Sequence, residues 1–167
     1  MILVCSMCVI AIVDKDSLLV LATRGGHGDK NFLSWIENRH GILAFCDTKL
    51  YPNEIINNRA ILELFARYEQ GGQLRKFRGK EISEAEKKIP KRGQGRRSND
   101  SYILALALVS GARVLCSNDK KLHSDFKNVE ILPKIGKKRR NLYPMNGTRK
   151  QRSEFLHRHR CANREQT

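Results

Sequence analysis

The sequence predicts an α/β protein with a mostly parallel central sheet of four or five strands and helices on both faces, in three layers. Two observations lead to this prediction. Short apolar runs that are typical of buried strands alternate with longer segments that are typical of helices. Helices that separate consecutive strands provide the crossovers that a parallel sheet requires. In such sheets, ligand sites form at the carboxyl ends of the strands.

The first half of the chain predicts two strands and three helices. The apolar runs 8–13 and 42–46 have the length of buried strands, and 17–22 predicts a short helix. A second helix ends at Gly41 and buries three side chains, Phe32, Trp35 and Ile36. The third helix begins after Asp47-Thr48 and ends at Gly71-Gly72. Its apolar stripe comprises Ile56, Ala60, Ile61, Leu64, Phe65 and Tyr68.

The second half begins with a polar, basic connection over 73–97. We expect one short helix within it, because Ser83 and Glu86 have the spacing of a capping box. An apolar helix then runs from Asp100 to Gly111 and is followed by a strand at 114–116. A last strand is predicted at 129–132, before Pro133. We expect one domain over 1–147 and a basic, flexible tail over 148–167, where apolar residues are few.

Two acids, Asp100 and Asp119, are predicted to lie close together although an entire helix and strand separate them. A helix of about ten residues covers roughly 15 Å. A strand of about five residues returns roughly 16 Å. The helix therefore leads away from one edge of the sheet and the strand returns over a similar distance, which brings both carboxylates to that edge.

Two further acids belong to the same edge. Asp14 directly follows the first strand, and Glu54 lies in the first turn of the helix after the second strand. Asp16 is close enough to join them. Clustered carboxylates repel one another unless they are protonated or neutralised by a cation, and an oxygen-only ligand set suits Mg²⁺ or Mn²⁺. Each acid also has a structural alternative, as a helix cap, a first-turn acid or a turn residue.

The charge of the chain is strongly positive. Thirty-two lysines and arginines against seventeen acids give a net charge of +15. This imbalance predicts a polyanionic partner, and nucleic acid is favoured over a membrane surface; a solubilising surface is the alternative. The residues expected to bind nucleic acid are Arg75, Lys76, Arg78, Lys91, Arg92, Arg96, Arg97, Lys137, Lys138, Arg139 and Arg140.

Other patterns argue against several classes of protein. No apolar run is long enough for a membrane span, and 1–13 is interpreted as a buried strand, with a signal peptide as the alternative. The glycine-rich loop at 24–28 lacks the Lys-Ser/Thr of a phosphate loop. Five cysteines, mostly within apolar runs, favour free thiols in a reducing, cytoplasmic compartment; a zinc site would need residues from the tail.

Four segments together resemble the PIN-domain ribonuclease family. The family pattern is an apolar strand that ends in Asp, a helix with Glu after the second strand, a helix that opens with Asp, and a strand that ends in Thr/Ser-Asn-Asp. The matching segments are VIAIVDKDSLL at 9–19, LYPNEI at 50–55, SNDSYILALALVSGARVL at 98–115 and SNDKKL at 117–122. The last two are the most specific, because they are adjacent and in the correct order.

This resemblance spans about residues 8–133 and implies a Mg²⁺- or Mn²⁺-dependent endoribonuclease. It implies that the metal-binding and catalytic residues are Asp14, Glu54, Asp100 and Asp119. Ser117 matches the family's hydroxyl residue beside the last acid, and Asp16 falls at a position that is commonly polar. The long basic connection and the basic tail depart from the compact bacterial toxins of the family.

Three functions stay open at this point. The first is a metal-dependent endonuclease that cuts RNA, with single-stranded DNA as a further substrate. The second is a non-catalytic RNA-binding module of a ribonucleoprotein, which needs only the basic segments. The third is a toxin that an antitoxin or another inhibitory protein holds inactive. A homodimer is compatible with all three.

Overall fold

The centre of the protein is a five-stranded sheet in which every strand runs parallel to its neighbours. The structure is a computed structural model that describes residues 8–23, 30–46 and 57–161. Glu54, the glycine-rich loop at 24–28 and the predicted start of the third helix lie outside these ranges. The strand order is β3-β2-β1-β4-β5. The strands are β1 (Ile10–Val13), β2 (Ile42–Cys46), β3 (Leu74–Phe77), β4 (Val114–Cys116) and β5 (Asn141–Leu142).

Seven helices in the described ranges cover both faces of this sheet. They are α1 (Lys15–Thr23), α2 (Lys30–Glu37), α3 (Arg59–Gln70), α4 (Gly79–Glu86), α5 (Ser101–Ser110), α6 (Lys120–Lys127) and α7 (Arg149–Arg158). The first three and α7 pack on one face, and α4, α5 and α6 pack on the other. The predicted three-layer α/β class is therefore confirmed.

Strand β1 explains why two separate cores form. All four of its residues are buried, because it lies in the middle of the sheet and has helices above and below it. Successive side chains of a strand point to opposite faces. Ala11 and Val13 accordingly enter one core, and Ile10 and Ile12 enter the other.

Strand β3 lies within the segment that we predicted as a connection. Leu74 and Phe77 are buried, while Arg75 and Lys76 between them are exposed. The strand stands at the edge of the sheet, where charged side chains are common and oppose pairing with another chain. Because Arg75 and Lys76 interrupt the apolar residues, this strand does not form an apolar run in the sequence.

The strand predicted at 129–132 is wrong. These residues form a turn after α6, in which the N–H groups of Ile131 and Leu132 donate to the carbonyl of Asn128 at 3.2 and 2.9 Å. Ile131 and Leu132 are buried against helices rather than in the sheet. The fifth strand is instead β5, which pairs with β4.

The short helix predicted within 73–97 is present as α4, but its predicted capping box is wrong, because Ser83 lies inside α4, which follows Arg78. The carboxylate of Glu81 accepts from the N–H of Arg78 at 3.4 Å. In α3 the cap is Asn58, whose Oδ1 accepts from the N–H of Ile61 at 3.3 Å. The buried face of α3 comprises Ile61, Leu64, Phe65 and Tyr68.

The described part of the predicted tail is a docked helix. Thr148 caps α7, and Leu156 is buried in the core beside α2. The indole Nε1–H of Trp35 donates to the carbonyl of His159 at 2.7 Å. The N–H of Cys161 donates to the carbonyl of His40 at 2.8 Å. Few apolar residues are enough here, because hydrogen bonds to the indole of Trp35 in α2 and to the backbone of the turn after α2 complete the docking.

Two smaller findings concern the described ranges only. None of the helices there is long and apolar enough to cross a membrane. None of Cys8, Cys46, Cys116 and Cys161 forms a disulfide bond.

Candidate active site at the carboxyl edge of the sheet

Asp14 lies where β1 ends and α1 begins. Its N–H donates to the carbonyl of Cys116 at 3.0 Å, which ties it to the end of the neighbouring strand β4. Its Oδ1 accepts from the N–H of Ser17 at 2.8 Å and so caps α1. Asp16, in the first turn of α1, is exposed. The structural role that we considered for Asp14 is therefore present, but it engages only one carboxylate oxygen.

Asp100 precedes α5 without capping it. Its carbonyl accepts from the N–H of Ile103 at 3.0 Å, but its side chain makes no capping hydrogen bond. A helix cap normally contributes to stability through such a bond. The structural alternative for this carboxylate is therefore not realised, and Asp100 is half-buried beside the other acids.

Asp119 stands where β4 leads into α6. Its Oδ1 accepts from the N–H groups of Lys121 and Leu122 at 2.7 and 3.3 Å. The hydroxyl of buried Ser117 accepts from the N–H of Asp119 at 3.0 Å and shapes the turn. As at Asp14, one carboxylate oxygen caps the helix, and within the described ranges no hydrogen bond to the second oxygen is found.

The pKa of Asp100 reveals that these acids interact. Burial raises this pKa above its usual range, and the negative charges of Asp119, Asp14 and Asp16 raise it further, in that order. The guanidinium of Arg96 acts in the opposite direction. The structure thus brings three aspartates within electrostatic reach of Asp100, at the edge where the sequence predicted them.

The pKa of Tyr102, in the first turn of α5, is also affected by the negative charges of these aspartates. Burial, followed by the charges of Asp100, Asp14 and Asp16, raises the pKa of its phenol to about 12. The phenol therefore stays protonated at neutral pH, and it is a hydrogen-bond donor at the edge of the acidic cluster.

The described side chains do not form a ready-made metal site. Among them, no three His, Cys, Asp or Glu side chains form a group that could hold an ion. The donor chemistry nevertheless fits a hard cation, because only carboxylates meet here. Two buried hydroxyls in the same segments, Ser17 and Ser98, make no hydrogen bond to the protein. Such orphaned polar atoms fit a hydrated ion, whose waters supply partners.

Arg96 is a cation near the acids, and hydrogen bonds to backbone carbonyls hold its side chain in place. Its Nε–H donates to the carbonyl of Pro90 at 2.8 Å, and its Nη1–H donates to that of Ser98 at 2.6 Å. Gly93 donates to the carbonyl of Arg96 at 2.9 Å and closes the turn between them. The guanidinium is therefore fixed by the fold, whereas the sequence analysis had treated it as one of many basic surface residues.

Asp125 was missed by the sequence analysis, because it lies in the middle of α6 with no motif around it. It is 2% exposed. Its carboxylate accepts from the N–H of Arg97 at 3.0 and 3.1 Å and from the N–H of Ser98 at 2.7 Å. This acid anchors the segment that leads into Asp100. Asp125 thereby holds the backbone that positions Asp100.

Glu86 was also missed as a neighbour of the site. The hydroxyl of Ser101, next to Asp100, donates to its Oε1. The capping-box pattern drew attention to Glu86 for another reason, and no spacing rule connects it with α5.

The basic residues divide between the two edges of the sheet. Arg78 follows β3, and the turn 91–97 leads into Asp100, so both share the carboxyl edge with the acids. The run 137–140 precedes β5 and lies at the opposite, amino edge. On β3, Lys76 pairs with Glu69 at 2.9 Å.

Arg140 differs from the other basic residues, because it is buried rather than exposed. Its guanidinium donates to the carbonyls of Ala112 at 3.1 Å and Leu132 at 3.0 Å, and to that of Pro133. These bonds hold the 133–140 loop against the start of β4. Arg140 is therefore buried within the fold, and its expected role in nucleic-acid binding stays a prediction.

Fold and site together define a three-layer α/β protein with an acidic cluster at the carboxyl edge of its sheet. No protein-family model matches the chain, and comparisons with curated proteins and with solved structures give no significant match.

Proposed function

We propose that this protein is a metal-dependent endonuclease that hydrolyses phosphodiester bonds in RNA, with Mg²⁺ or Mn²⁺ as its cofactor. One observation carries the proposal: Asp100, at the start of α5, lies in the field of Asp14 and Asp119, which follow β1 and β4, and of Asp16 in α1, in a protein of net charge +15. Repulsion between these carboxylates destabilises the folded protein unless a bound cation or a proton neutralises part of the charge. The resemblance to PIN-domain ribonucleases points to the same chemistry.

In this proposal the acidic side chains bind the ion, and a basic side chain binds the substrate. Asp14, Asp100 and Asp119 hold the ion, with Glu54 completing the ligand set as the resemblance implies. When bound, the ion lowers the pKa of a water and stabilises the charge that develops on the phosphate. Arg96, fixed beside Asp100 by two backbone carbonyls, is placed to orient the anionic phosphate.

The surrounding cations explain how RNA approaches an acidic centre. Arg78, Arg92 and Arg97 are exposed on the same edge as the carboxylates. Contacts from arginine to phosphate oxygens position a strand without reading its sequence. The basic edge therefore offsets the repulsion between the phosphate backbone and the aspartates. We place this activity in a reducing, cytoplasmic compartment, as the cysteines within apolar runs of the sequence suggest.

The test is a cleavage assay with purified protein. End-labelled RNA and single-stranded DNA are incubated with Mn²⁺, with Mg²⁺ or with EDTA. We expect internal cleavage of RNA that requires metal, with a 5′-phosphate on the downstream product. Cleavage that continues undiminished in EDTA, or no cleavage of either polymer with both metals, contradicts the proposal.

A second candidate is a non-catalytic RNA-binding module. One observation favours it: the described side chains contain no group of three metal ligands. It predicts tight, salt-sensitive RNA binding with intact RNA in every metal condition. Calorimetric titration of Mn²⁺ separates the two candidates, because only the nuclease requires an ion whose binding is lost when Asp100 is replaced by Asn.

A further inference from the structure

A basic cavity lies at the opposite edge of the sheet from the aspartates. Its volume is about 330 Å³, within the roughly 300–1,000 Å³ of small-molecule sites. The lining residues are Phe126, Lys127, Val129, Leu132, Lys134, Arg139 and Arg140. Four of these seven are cationic, and none is acidic.

The loop before β5 brings two of the cations to the two sides of a tight turn. Ile135 and Lys138 form an antiparallel bridge, and the N–H of Lys138 donates to the carbonyl of Ile135 at 3.1 Å. Gly136, with φ of 60°, lets the chain reverse between them. Lys134 precedes this turn, Arg139 follows it, and both line the cavity.

A buried charge lies behind them. Arg140 is 8% exposed and its hydrogen bonds go to neutral carbonyls. No ion pair joins it to a carboxylate within the described ranges. Its guanidinium also lies over the ring of Phe126, 6.0 Å from the centroid, and burial lowers its pKa. Because Arg140 lines the cavity, its positive charge adds to those of Lys127, Lys134 and Arg139 there.

The floor of the cavity is apolar. Phe126 and Leu132 are buried beneath it, and Val129 is 53% exposed at its side. An exposed apolar side chain among cations suits a ligand that has both a flat apolar part and negative charge. An uncharged sugar would make no use of the cations, and a hydrophobic peptide would contact only the apolar side chains.

A shallow groove extends from this cavity along α6. Its volume is about 480 Å³, and Lys127 lines both the groove and the cavity. Arg97, His123 and Ser124 line it further along. Because α6 has eight residues, the path toward Asp119 is about 12 Å long. A strand of nucleic acid is long enough to follow it.

We propose that the cavity binds one nucleotide, its phosphate at Lys134 and Arg139 and its base against Val129. The geometry favours a nucleotide unit of a single RNA strand that continues along α6, and a free mononucleotide has the same chemistry. The site does not depend on cleavage, because it is formed by different residues at the other edge of the sheet. It would hold RNA at a distance from the scissile bond.

The test measures binding in EDTA with the Asp100→Asn protein, so that cleavage plays no part. Fluorescence anisotropy follows a labelled single-stranded oligoribonucleotide, and calorimetry follows adenosine 5′-monophosphate. The double variant Lys134→Gln with Arg139→Gln is compared with Arg149→Gln with Lys150→Gln, which removes the same charge from exposed positions on α7. We expect a loss of about tenfold in affinity in the first variant and little change in the second.

A second pair of variants tests the apolar side without changing a cation. Val129→Glu puts a negative charge in the cavity, and Leu62→Glu makes the same change at a similarly exposed position on α3. Only Val129→Glu should weaken nucleotide binding. Thermal unfolding checks that all four proteins are folded.

The outcomes separate the possible sources of the nucleotide. Loss of oligoribonucleotide binding assigns the cavity to a unit of an RNA strand, and loss of mononucleotide binding alone assigns it to a free nucleotide. Equal effects in the cavity variants and in their controls overturn the proposal. Because no arm requires cleavage, failure of the proposed nuclease activity leaves this result readable.

Discussion

Asp100 is the residue at which burial and like charge act together. It makes no capping bond for α5, and its pKa is raised by burial and then by three neighbouring aspartates. Its charged form is therefore disfavoured by the fold at neutral pH. A position that costs stability and caps nothing is typical of a functional residue.

Replacing Asp100 by Asn tests its catalytic role. The amide keeps the shape of the side chain but is a poor ligand for a hard cation. We expect RNA cleavage to fall at least about 100-fold, as when a group that stabilises developing charge is removed, with RNA binding unchanged in gel-shift assays. Glu130→Gln, an exposed acid at the amino edge, is the matched control. Full activity in the Asp100 variant contradicts the assignment.

The same variant predicts a pH-dependent gain in stability in EDTA. Because the pKa of Asp100 is raised in the folded state, the folded protein binds this proton more tightly than the unfolded chain does. Stability is then lost as the pH rises above the ordinary value of 3.8. Asp100→Asn should raise Tm at pH 7, by about 2–4 °C per kcal/mol of relieved repulsion. The gain should vanish at low pH, and a lower Tm at pH 7 contradicts it.

Asp125 acts on the site through the backbone. Its buried carboxylate accepts from the N–H groups of Arg97 and Ser98, two residues before Asp100. Asp125→Ala leaves both donors unpaired, so we expect unfolding by denaturant to show a loss of about 3 kcal/mol. Asp125→Asn retains an acceptor and should lose less. Equal stability of the two variants means that the hydrogen bonds do not anchor this segment.

At the scale of elements, α7 shows that a basic, poorly apolar segment can still be part of the core. It contributes one buried side chain, Leu156, together with ring contacts of Phe155 to Tyr143 at 5.7 Å and to His159 at 4.0 Å. Its carboxyl end accepts the indole N–H of Trp35. The helix is held by a few specific contacts rather than by a broad apolar face.

Removing one of these contacts should release α7. Leu156→Ala leaves a cavity beside α2, and we expect a loss of about 2–3 kcal/mol in the free energy of unfolding. Trp35 is the single tryptophan of the chain, so its fluorescence should shift to the red as His159 moves away. Leu62→Ala, at an exposed position of α3, is the control and should change neither quantity. An unchanged Tm for Leu156→Ala contradicts the docking.

At the scale of the whole molecule, the charge predicts how RNA binding responds to salt. A single strand releases counterions with a slope of about −0.7 in log affinity against log salt for each neutralised phosphate. Lys137 and Lys138 are exposed at the amino edge. Replacing both by Gln should reduce the slope by about 1.4, if each contacts one phosphate. An affinity that does not change between low and high salt excludes binding through the phosphate backbone.

The sequence by itself determined the α/β class and the edge at which the aspartates meet. Asp14 and Asp119 end buried strands and Asp100 begins a buried helix. Those positions follow from local patterns, because strands with both faces covered must be continuously apolar and their ends share an edge when they run parallel. The strongest patterns were those with the most buried residues.

Tertiary structure decided the elements that lie at the margins of the sheet. Strand β3 carries two charges, β5 has two residues, and α7 buries a single side chain, so none has a strong pattern of its own. Tertiary contacts also buried Arg140 and joined the carboxylate of Asp125 to the backbone of Arg97 and Ser98, which are distant in the chain. The physical reason is that such hydrogen bonds are set by the approach of separate segments, which local composition does not record.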